Sequence, residues 1–224
     1  MCAQPEGLAR RVAKNEAANR DARLHFTYRQ EVVVEEFGAG KSPGGRFREV
    51  RDIVFSPAAE RSEKIVGATQ NNLQRLRLTE EDFRDIRDVQ PFLFTPDLLW
   101  LYQVTPRGEE TLDGVECWLL EVKPRQVLDE QRLFEGLLWV GKSEEVVVRS
   151  QGKAVPDLLG SKTENLFPRF TTVRAKVDGK HWFPVFTHAD DTLPFRAGPL
   201  RMRMQIRYTD YQRFSADSKI EFKE

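Results

Sequence analysis

The stretch 133–149, LFEGLLWVGKSEEVVVR, constrains the fold more than any other part of the chain, because it predicts two β-strands folded back on each other. Alternate side chains of a strand point to opposite faces, and here Leu137 and Trp139 share one face while Leu138 lies on the other. A reversal begins at Gly141, where glycine reaches the backbone angles of a tight turn. We therefore expect the first strand to be buried on both sides, near the middle of a sheet.

Alternating apolar and polar residues along the rest of the chain predict further strands. The last strand is the clearest, with Met202 and Met204 on one face and Arg201 on the other. Asp178-Gly179, between two apolar runs, is a strong hairpin signal. The patterns together predict an α+β chain, mostly antiparallel β, in which roughly ten strands form one sheet that right-handed twist curls into a half-barrel.

Two segments predict helices that pack against this sheet. Residues 8–23 carry a thin apolar stripe that starts at Leu8, which predicts a helix laid on the edge of the domain. Further along, Thr79 and Asp82 are spaced as in a capping box at a helix start. The insert that follows is too apolar for a solvated loop, so 79–101 is predicted to be a short helical lid.

Composition excludes several classes of function. Positive and negative side chains balance at 35 each, which gives no long-range attraction to nucleic acid. No apolar run approaches the ~20 residues needed to span a bilayer. Residues 1–7 are expected to be a flexible tail, and Cys2 stands where a lipid-bearing cysteine would follow signal cleavage, so a lipidated and an unmodified cysteine both remain open. We interpret residues 1–224 as a single domain.

Large apolar side chains supply the candidate binding residues. If the lid covers the concave face, the space between them is a cavity of the kind that binds lipid. The same residues could instead fill an ordinary core, and that alternative stays open at this stage. The candidates for the lining of a lipid cavity are Phe26, Tyr28, Phe94, Leu98, Trp100, Leu137, Trp139, Trp182, Phe186, Met202 and Met204.

Catalytic and metal-binding signals are weak. His188, Asp190 and Asp191 form the one grouping with acid–base character, but no metal-ligand spacing, nucleophile elbow or phosphate loop accompanies it. His181 and His188 have opposite parity and are expected on opposite faces unless a bulge intervenes. We therefore expect no enzyme, no catalytic residues, no metal and no cofactor, with a hydrolase at these three residues as a minor alternative.

Three segments resemble a known family. The segment 136–149, GLLWVGKSEEVVVR, resembles the hairpin of LolA-like proteins, the outer-membrane lipoprotein-sorting carriers and their relatives. The segments 177–184, VDGKHWFP, and 208–214, YTDYQRF, resemble the later hairpin and final strand of bacterial members. The resemblance implies a curved LolA-like half-barrel with an N-terminal helix and a helical lid. The arginine through which such carriers latch the lid to the barrel is not matched to any residue here.

The resemblance also implies a function. It predicts a non-enzymatic, exported carrier of the periplasm or cell envelope whose concave face holds lipid or lipoprotein acyl chains. An envelope protein is an expected partner, nucleic acid and a transmembrane segment are not expected, and the carrier is predicted to be a monomer. The alternative hypothesis is an interaction or scaffold module of the same fold with a self-filled core.

Overall fold

Helices and strands follow one another in an order close to the predicted one. The computed structural model describes residues 5–38, 42–56, 58–88, 94–126, 132–159 and 164–214. The elements are α1 (Leu8–Arg23), β1 (Phe26–Phe37), β2 (Pro43–Phe55), β3 (Arg61–Ile65), β4 (Gln70–Asn71), α2 (Glu80–Asp88), α3 (Pro96–Leu99), β5 (Tyr102–Leu112), β6 (Val115–Pro124), β7 (Leu133–Gly141), β8 (Val146–Val155), β9 (Leu158–Leu159), β10 (Glu164–Asn165), β11 (Phe170–Val177), β12 (His181–Leu193) and β13 (Leu200–Arg213).

One antiparallel sheet of 11 strands forms the frame of the molecule. Its order is β3-β2-β1-β13-β12-β11-β8-β7-β6-β5, with β4 also paired to β2, while β9 and β10 form a separate pair. Most neighbours in the sheet are consecutive in sequence, but β1 pairs with the last strand, β13, β8 pairs with β11, and β4 pairs with β2. The sheet is open, because β3 and β5 lie at its two edges and do not pair with each other in the described part of the chain. The sheet is also curved, and the predicted fold class is confirmed.

The central hairpin has the predicted strands but a different turn. Seven of the nine β7 residues are buried, which agrees with a strand covered on both faces. The reversal occupies residues 142–145, and its left-handed position is Glu145, with a φ of 50°. Gly141 is the last residue of β7 and does not have a positive φ. The prediction that glycine supplies the turn geometry was therefore wrong.

The predicted lid crosses a face of the sheet because of the strand order. Its two ends join β4, beside β2, to β5 at the opposite edge. The capping box is confirmed, since the Thr79 backbone N–H donates to Asp82 Oδ2 at 2.7 Å and the Asp82 N–H to Thr79 Oγ1 at 3.4 Å. Residues 89–93 of the lid lie outside the described residues.

Helix α1 lies on the same face as the lid. It packs on β8 and β12, in the interior of the sheet, and the predicted edge position was wrong. A polar contact accounts for the difference: Glu16 and Arg174 form an ion pair of 2.6 Å whose side chains are 0% and 1% exposed. Glu16 also accepts a hydrogen bond of 3.0 Å from the Val147 backbone N–H. The helix is thus fixed to the sheet through a charge that its apolar stripe does not reveal.

Candidate ligand-binding site

A cavity of about 470 Å³ lies between the sheet and the lid. Its floor is formed by β1 and β13, where Val34, Met202 and Met204 point toward the lid. The roof and walls come from three segments that the chain brings together from distant positions. They contribute the apolar groups Leu76, Leu78, Ile86, Leu166, Phe167, Pro168, Leu193, Phe195, Ala197 and Leu200.

The chemistry of this cavity suits an apolar ligand with a polar end. Most of the lining is aliphatic or aromatic. The polar side chains among the roof and wall residues are Arg75, Arg77, Thr79, Asp82, Glu164 and Asn165. Ligand pockets in proteins have volumes of about 300–1,000 Å³ and combine apolar walls with a few polar groups. In size and composition the space therefore falls within the range of ligand pockets.

The start of the roof is clamped by one buried carboxylate. Glu36 of β1 accepts hydrogen bonds from the backbone N–H groups of Gln74, Arg75 at 3.0 Å and Leu76 at 2.7 Å. A side chain at Gly45 would meet Glu36 Oε1 at 2.7 Å, so only glycine permits this approach. Because a carboxylate that accepts several N–H bonds is held firmly, this end of the roof is fixed to the sheet.

The helical part of the roof is joined to the wall by a polar network. Asn165 of β10 donates from Nδ2 to Thr79 Oγ1 at 2.9 Å and to Asp82 Oδ1 at 3.1 Å. Burial raises the pKa of Asp82, although its hydrogen bonds to Thr79 and Asn165 act in the opposite direction. The two residues that cap α2, Thr79 and Asp82, therefore also hold the lid to the wall through Asn165.

A buried ion pair joins α2 to the sheet. Arg132, which precedes β7, binds Asp85, and both side chains are 5% exposed. Arg132 also donates from Nη2 to the Asn165 backbone oxygen at 2.7 Å. Burial raises the pKa of Asp85 to about 6, while the positive charge of Arg132 acts to lower it. Arg132 thus connects the lid, the wall and the sheet at one point.

The sequence analysis missed this arginine. Arg132 stands next to residues 127–131, which are not described, and 47 positions from its partner Asp85. Nothing in its local pattern marks it, since an arginine at the start of a strand is usually solvated. One signal was present, because Asp85 faces inward beside Ile86 on a helix that starts with a capping box.

Several predicted cavity residues share the lid-facing side of the sheet. Met202 and Met204 line the cavity itself. Tyr28 and Phe94 are buried in the core cluster on that side, and Leu98 packs against it, but none of the three lines the cavity. Phe26 is buried beside Phe183, with ring centroids 5.1 Å apart. Trp100, by contrast, is 66% exposed.

The remaining candidates lie on the opposite face. Trp139 belongs to a second, smaller core cluster with Cys117, against which Leu137 and Trp182 pack. Phe186 borders a pocket on that same face. Strand parity explains the division, because alternate residues of β7 face opposite sides, and Leu138 occupies the lid side. The structure therefore divides the eleven candidates between two faces and brings two of them to the cavity.

His188, Asp190 and Asp191 border one pocket on the face of the sheet opposite the lid, whereas His181 is not among its lining residues. His181 stacks on Phe183, with centroids 5.7 Å apart, and His188 packs on Phe186, with centroids 5.4 Å apart. Asp190 is held by Arg201 and Arg203. Within the part of the chain that the structure describes, no group of histidine, cysteine and carboxylate side chains could hold a metal.

The described residues contain no helix long and apolar enough to cross a membrane. No family model matches the chain, and no curated protein matches it.

Solved structures resemble the chain over most of its length. A DUF1329 family protein from Desulfovibrio piger is 15% identical, with 96% of each chain covered and a TM-score of 0.44. A putative outer membrane lipoprotein-sorting protein domain from Vibrio parahaemolyticus is 11% identical, with 95% of each chain covered and a TM-score of 0.41. A LolA superfamily protein from Nitrosomonas europaea is 12% identical over 91% of this chain and 94% of its own, with a TM-score of 0.38. These are similarities to solved structures whose sequences are at most 15% identical to this chain.

Proposed function

We propose that this protein is a non-enzymatic carrier that holds an acyl chain of a lipid or lipoprotein in the cavity between lid and sheet. The cavity carries the proposal, because it combines about 470 Å³ of space with an apolar floor and roof. As a carrier of this kind the protein would be exported to the periplasm or cell envelope, and an envelope protein would supply or receive the cargo.

Burial of the acyl chain provides the binding energy. Each methylene removed from water contributes about 0.8 kcal/mol, so several methylenes outweigh the cost of ordering the ligand without a specific headgroup contact. Met202 and Met204 suit such a ligand, because the flexible thioether side chain adapts to irregular and mobile apolar surfaces.

The polar contacts of the lid define how cargo would enter. The roof is clamped at residues 74–76 by Glu36, whereas α2 is held by polar contacts with Arg132 and Asn165. If α2 swings away, water can hydrogen-bond the exposed groups of Arg132, Asp85 and Asn165, which offsets part of the cost of breaking these buried contacts. The clamp at Glu36 would then act as the hinge.

Lipid content and lipid uptake test the proposal. Organic extraction of the purified protein followed by mass spectrometry should release a fatty acid or phospholipid, and an anthroyloxy fatty acid should bind saturably. Ala197, an exposed residue at the edge of the cavity, offers a variant: Ala197→Trp should block uptake of the probe. Ala58→Trp places the same side chain on an exposed residue elsewhere and should leave uptake unchanged.

Two results would remove the carrier proposal. One is the absence of both bound lipid and saturable probe binding in the unmodified protein. The other is equal probe binding by Ala197→Trp and Ala58→Trp, since the bound probe would then lie outside the cavity.

A scaffold function is the second candidate. Much of the lid-facing side is filled by the protein's own large side chains, and Phe94, Phe134 and Phe170 are completely or almost completely buried there. A scaffold predicts no extracted lipid, together with a protein that becomes more stable when Ala197→Trp fills the remaining space.

A further inference from the structure

We infer that a second pocket, on the face of the sheet opposite the lid, binds the phosphate group of an organic phosphate. This outer pocket is lined by Arg169, Thr171, Phe186, His188 and Arg203, together with Gln151, Ala189, Asp190, Asp191 and Gln205. Its volume is about 470 Å³, and the same strands that hold the lipid cavity on one face hold this pocket on the other. The inference is independent of the carrier proposal, because the two pockets share no lining residue.

The alternation of β13 places the outer pocket. Met202 and Met204 face the lid, so Arg203 and Gln205 face the other side of the sheet. At β13, the face of the sheet toward the outer pocket therefore carries polar side chains, whereas the face toward the lid carries apolar ones. Phe186 supplies one aromatic wall, and the Arg207 guanidinium lies 5.7 Å from its ring centre.

The carboxylates of the outer pocket are already occupied. Asp190 binds Arg201 at 2.9 Å and Arg203 at 3.1 Å. Asp191 accepts hydrogen bonds from two backbone N–H groups, those of Arg169 at 3.0 Å and Thr192 at 2.8 Å. Neither carboxylate is therefore engaged with the side chain of Arg169.

Positive charge remains available at this site. The Arg169 side chain is exposed and forms no ion pair with a carboxylate among the described residues. Arg149, beside His188, stacks on Trp139 at 5.1 Å, and its Nε is buried without a hydrogen-bond partner among the described residues. Arg149 is not among the lining residues of the pocket, so its contribution is the positive charge that it places beside His188.

His188 adds a group that responds to an anion. Burial lowers the pKa of His188, and the charge of Arg149 lowers it further, so the ring is neutral at pH 7. A bound dianion would oppose the Arg149 charge and favour the protonated ring. Binding should therefore take up a proton.

The number and kind of donors favour a phosphate over a simple carboxylate. A phosphate ester carries close to two negative charges and three acceptor oxygens at pH 7, and guanidinium groups match its geometry. The chain as a whole has a net charge of +0, so attraction to a phosphate must arise locally. The space beyond the phosphate, bordered by Phe186, would hold the organic part.

Calorimetry with phenyl phosphate tests the outer pocket. Saturable binding is expected, with affinity at least about tenfold weaker for Arg169→Ala, because one charged hydrogen bond contributes about 1.5–3 kcal/mol. Arg10→Ala is the matched control, since it removes the same charge from an exposed site on α1, the helix on the lid-facing side, and should leave affinity unchanged. Titrations in buffers of different ionisation enthalpy should show proton uptake that His188→Gln removes.

Vesicles identify the source of the phosphate. Binding to phosphatidylglycerol vesicles but not phosphatidylcholine vesicles, lost in Arg169→Ala, would assign the pocket to an anionic lipid headgroup. Binding of phenyl phosphate without vesicle binding would assign it to a soluble phosphate ester. The inference is overturned if no probe binds saturably, if Arg169→Ala and Arg10→Ala behave alike, or if an acidic peptide binds in preference to phenyl phosphate.

Discussion

Arg132 and Asp85 form a buried ion pair between the start of β7 and the lid helix α2. The pair also reaches Asn165, which caps the same helix through Thr79 and Asp82. The position of the lid is therefore set by a small polar cluster at the edge of an otherwise apolar cavity, and its removal should loosen the lid more than the sheet.

The first prediction concerns Arg132→Met. The substitution leaves Asp85 buried without its cation, and breaking a buried pair in this way typically costs about 3–5 kcal/mol. We expect faster hydrogen exchange in residues 80–88, with little change in β13, measured by mass spectrometry. The exposed pair Arg87–Asp88 on the same helix provides the control, because Arg87→Ala should cost at most about 1 kcal/mol. Equal exchange in the two variants would contradict a latch at Arg132.

The second prediction concerns pH. The pKa of Asp85 is about 6 in the folded protein, above its ordinary value of 3.8, so the folded state binds more protons than the unfolded state between these values. The resulting contribution to stability is fully present below pH 3.8 and is lost as the pH rises through 6. Asp82, Arg84 and Arg132 are the charged groups around it, and the raised pKa of Asp82 acts in the same direction.

Urea unfolding at several pH values measures this effect. In the unmodified protein the free energy of unfolding should carry a term that falls between pH 4 and pH 7 by at most about 3 kcal/mol, since one pKa unit corresponds to about 1.4 kcal/mol. Asp85→Asn should remove this pH-dependent term. The prediction is contradicted if the free energy of unfolding changes by the same amount between these two pH values in Asp85→Asn and in the unmodified protein.

The third prediction separates the two faces of the sheet. Met202→Gln places an amide in the apolar floor of the cavity between lid and sheet, where an unsatisfied polar group costs about 1–3 kcal/mol. Affinity for an anthroyloxy fatty acid should fall about tenfold or more. Leu137→Gln makes a similar change on the opposite face and should leave the affinity unchanged. If Leu137→Gln weakened binding and Met202→Gln did not, the cargo would lie on the other face.

The fourth prediction concerns the attachment of α1. Glu16→Ala removes the partner of Arg174 in a site that is closed to water, and it also frees the Val147 N–H. We expect a loss of about 3–5 kcal/mol in the free energy of unfolding, measured by urea titration. The double variant Glu16→Leu/Arg174→Met should recover much of this loss. Arg11→Ala, which breaks an exposed pair between the same helix and Glu145, should have a much smaller effect.

The elements that depend on local pattern were predicted well. Helix α1 has the expected bounds, Asp178-Gly179 forms a turn between β11 and β12, and Thr79 caps α2 with Asp82. Each of these features is encoded within a few neighbouring residues. The face of the sheet occupied by a given side chain is less local, because bulges such as the one between Trp139 and Val140 shift the pairing register.

The site itself was predicted only in outline. A lid over an apolar hollow was predicted from the insert at 79–101. Met202 and Met204 line the cavity, and their contact with lipid stays a prediction. Arg132 and Asp85 were not found, because two charges far apart in sequence give no sign that they meet. Of the outer pocket, the sequence singled out His188, Asp190 and Asp191 but not Arg169, because strand pairing alone brings that residue beside them.

The position of β13 between β1 and β12 has a consequence for how the chain folds. Strands β1, β2 and β3 can pair with one another as they are synthesised, and so can the strands of the sheet from β5 to β12. These two portions of the sheet are joined by β13, so they stay separate until residues 200–213 are available. The two portions can therefore join only after residues 200–213 have been synthesised. Until then the chain exposes two unsealed strand edges, at β1 and β12, which a chaperone would have to shield.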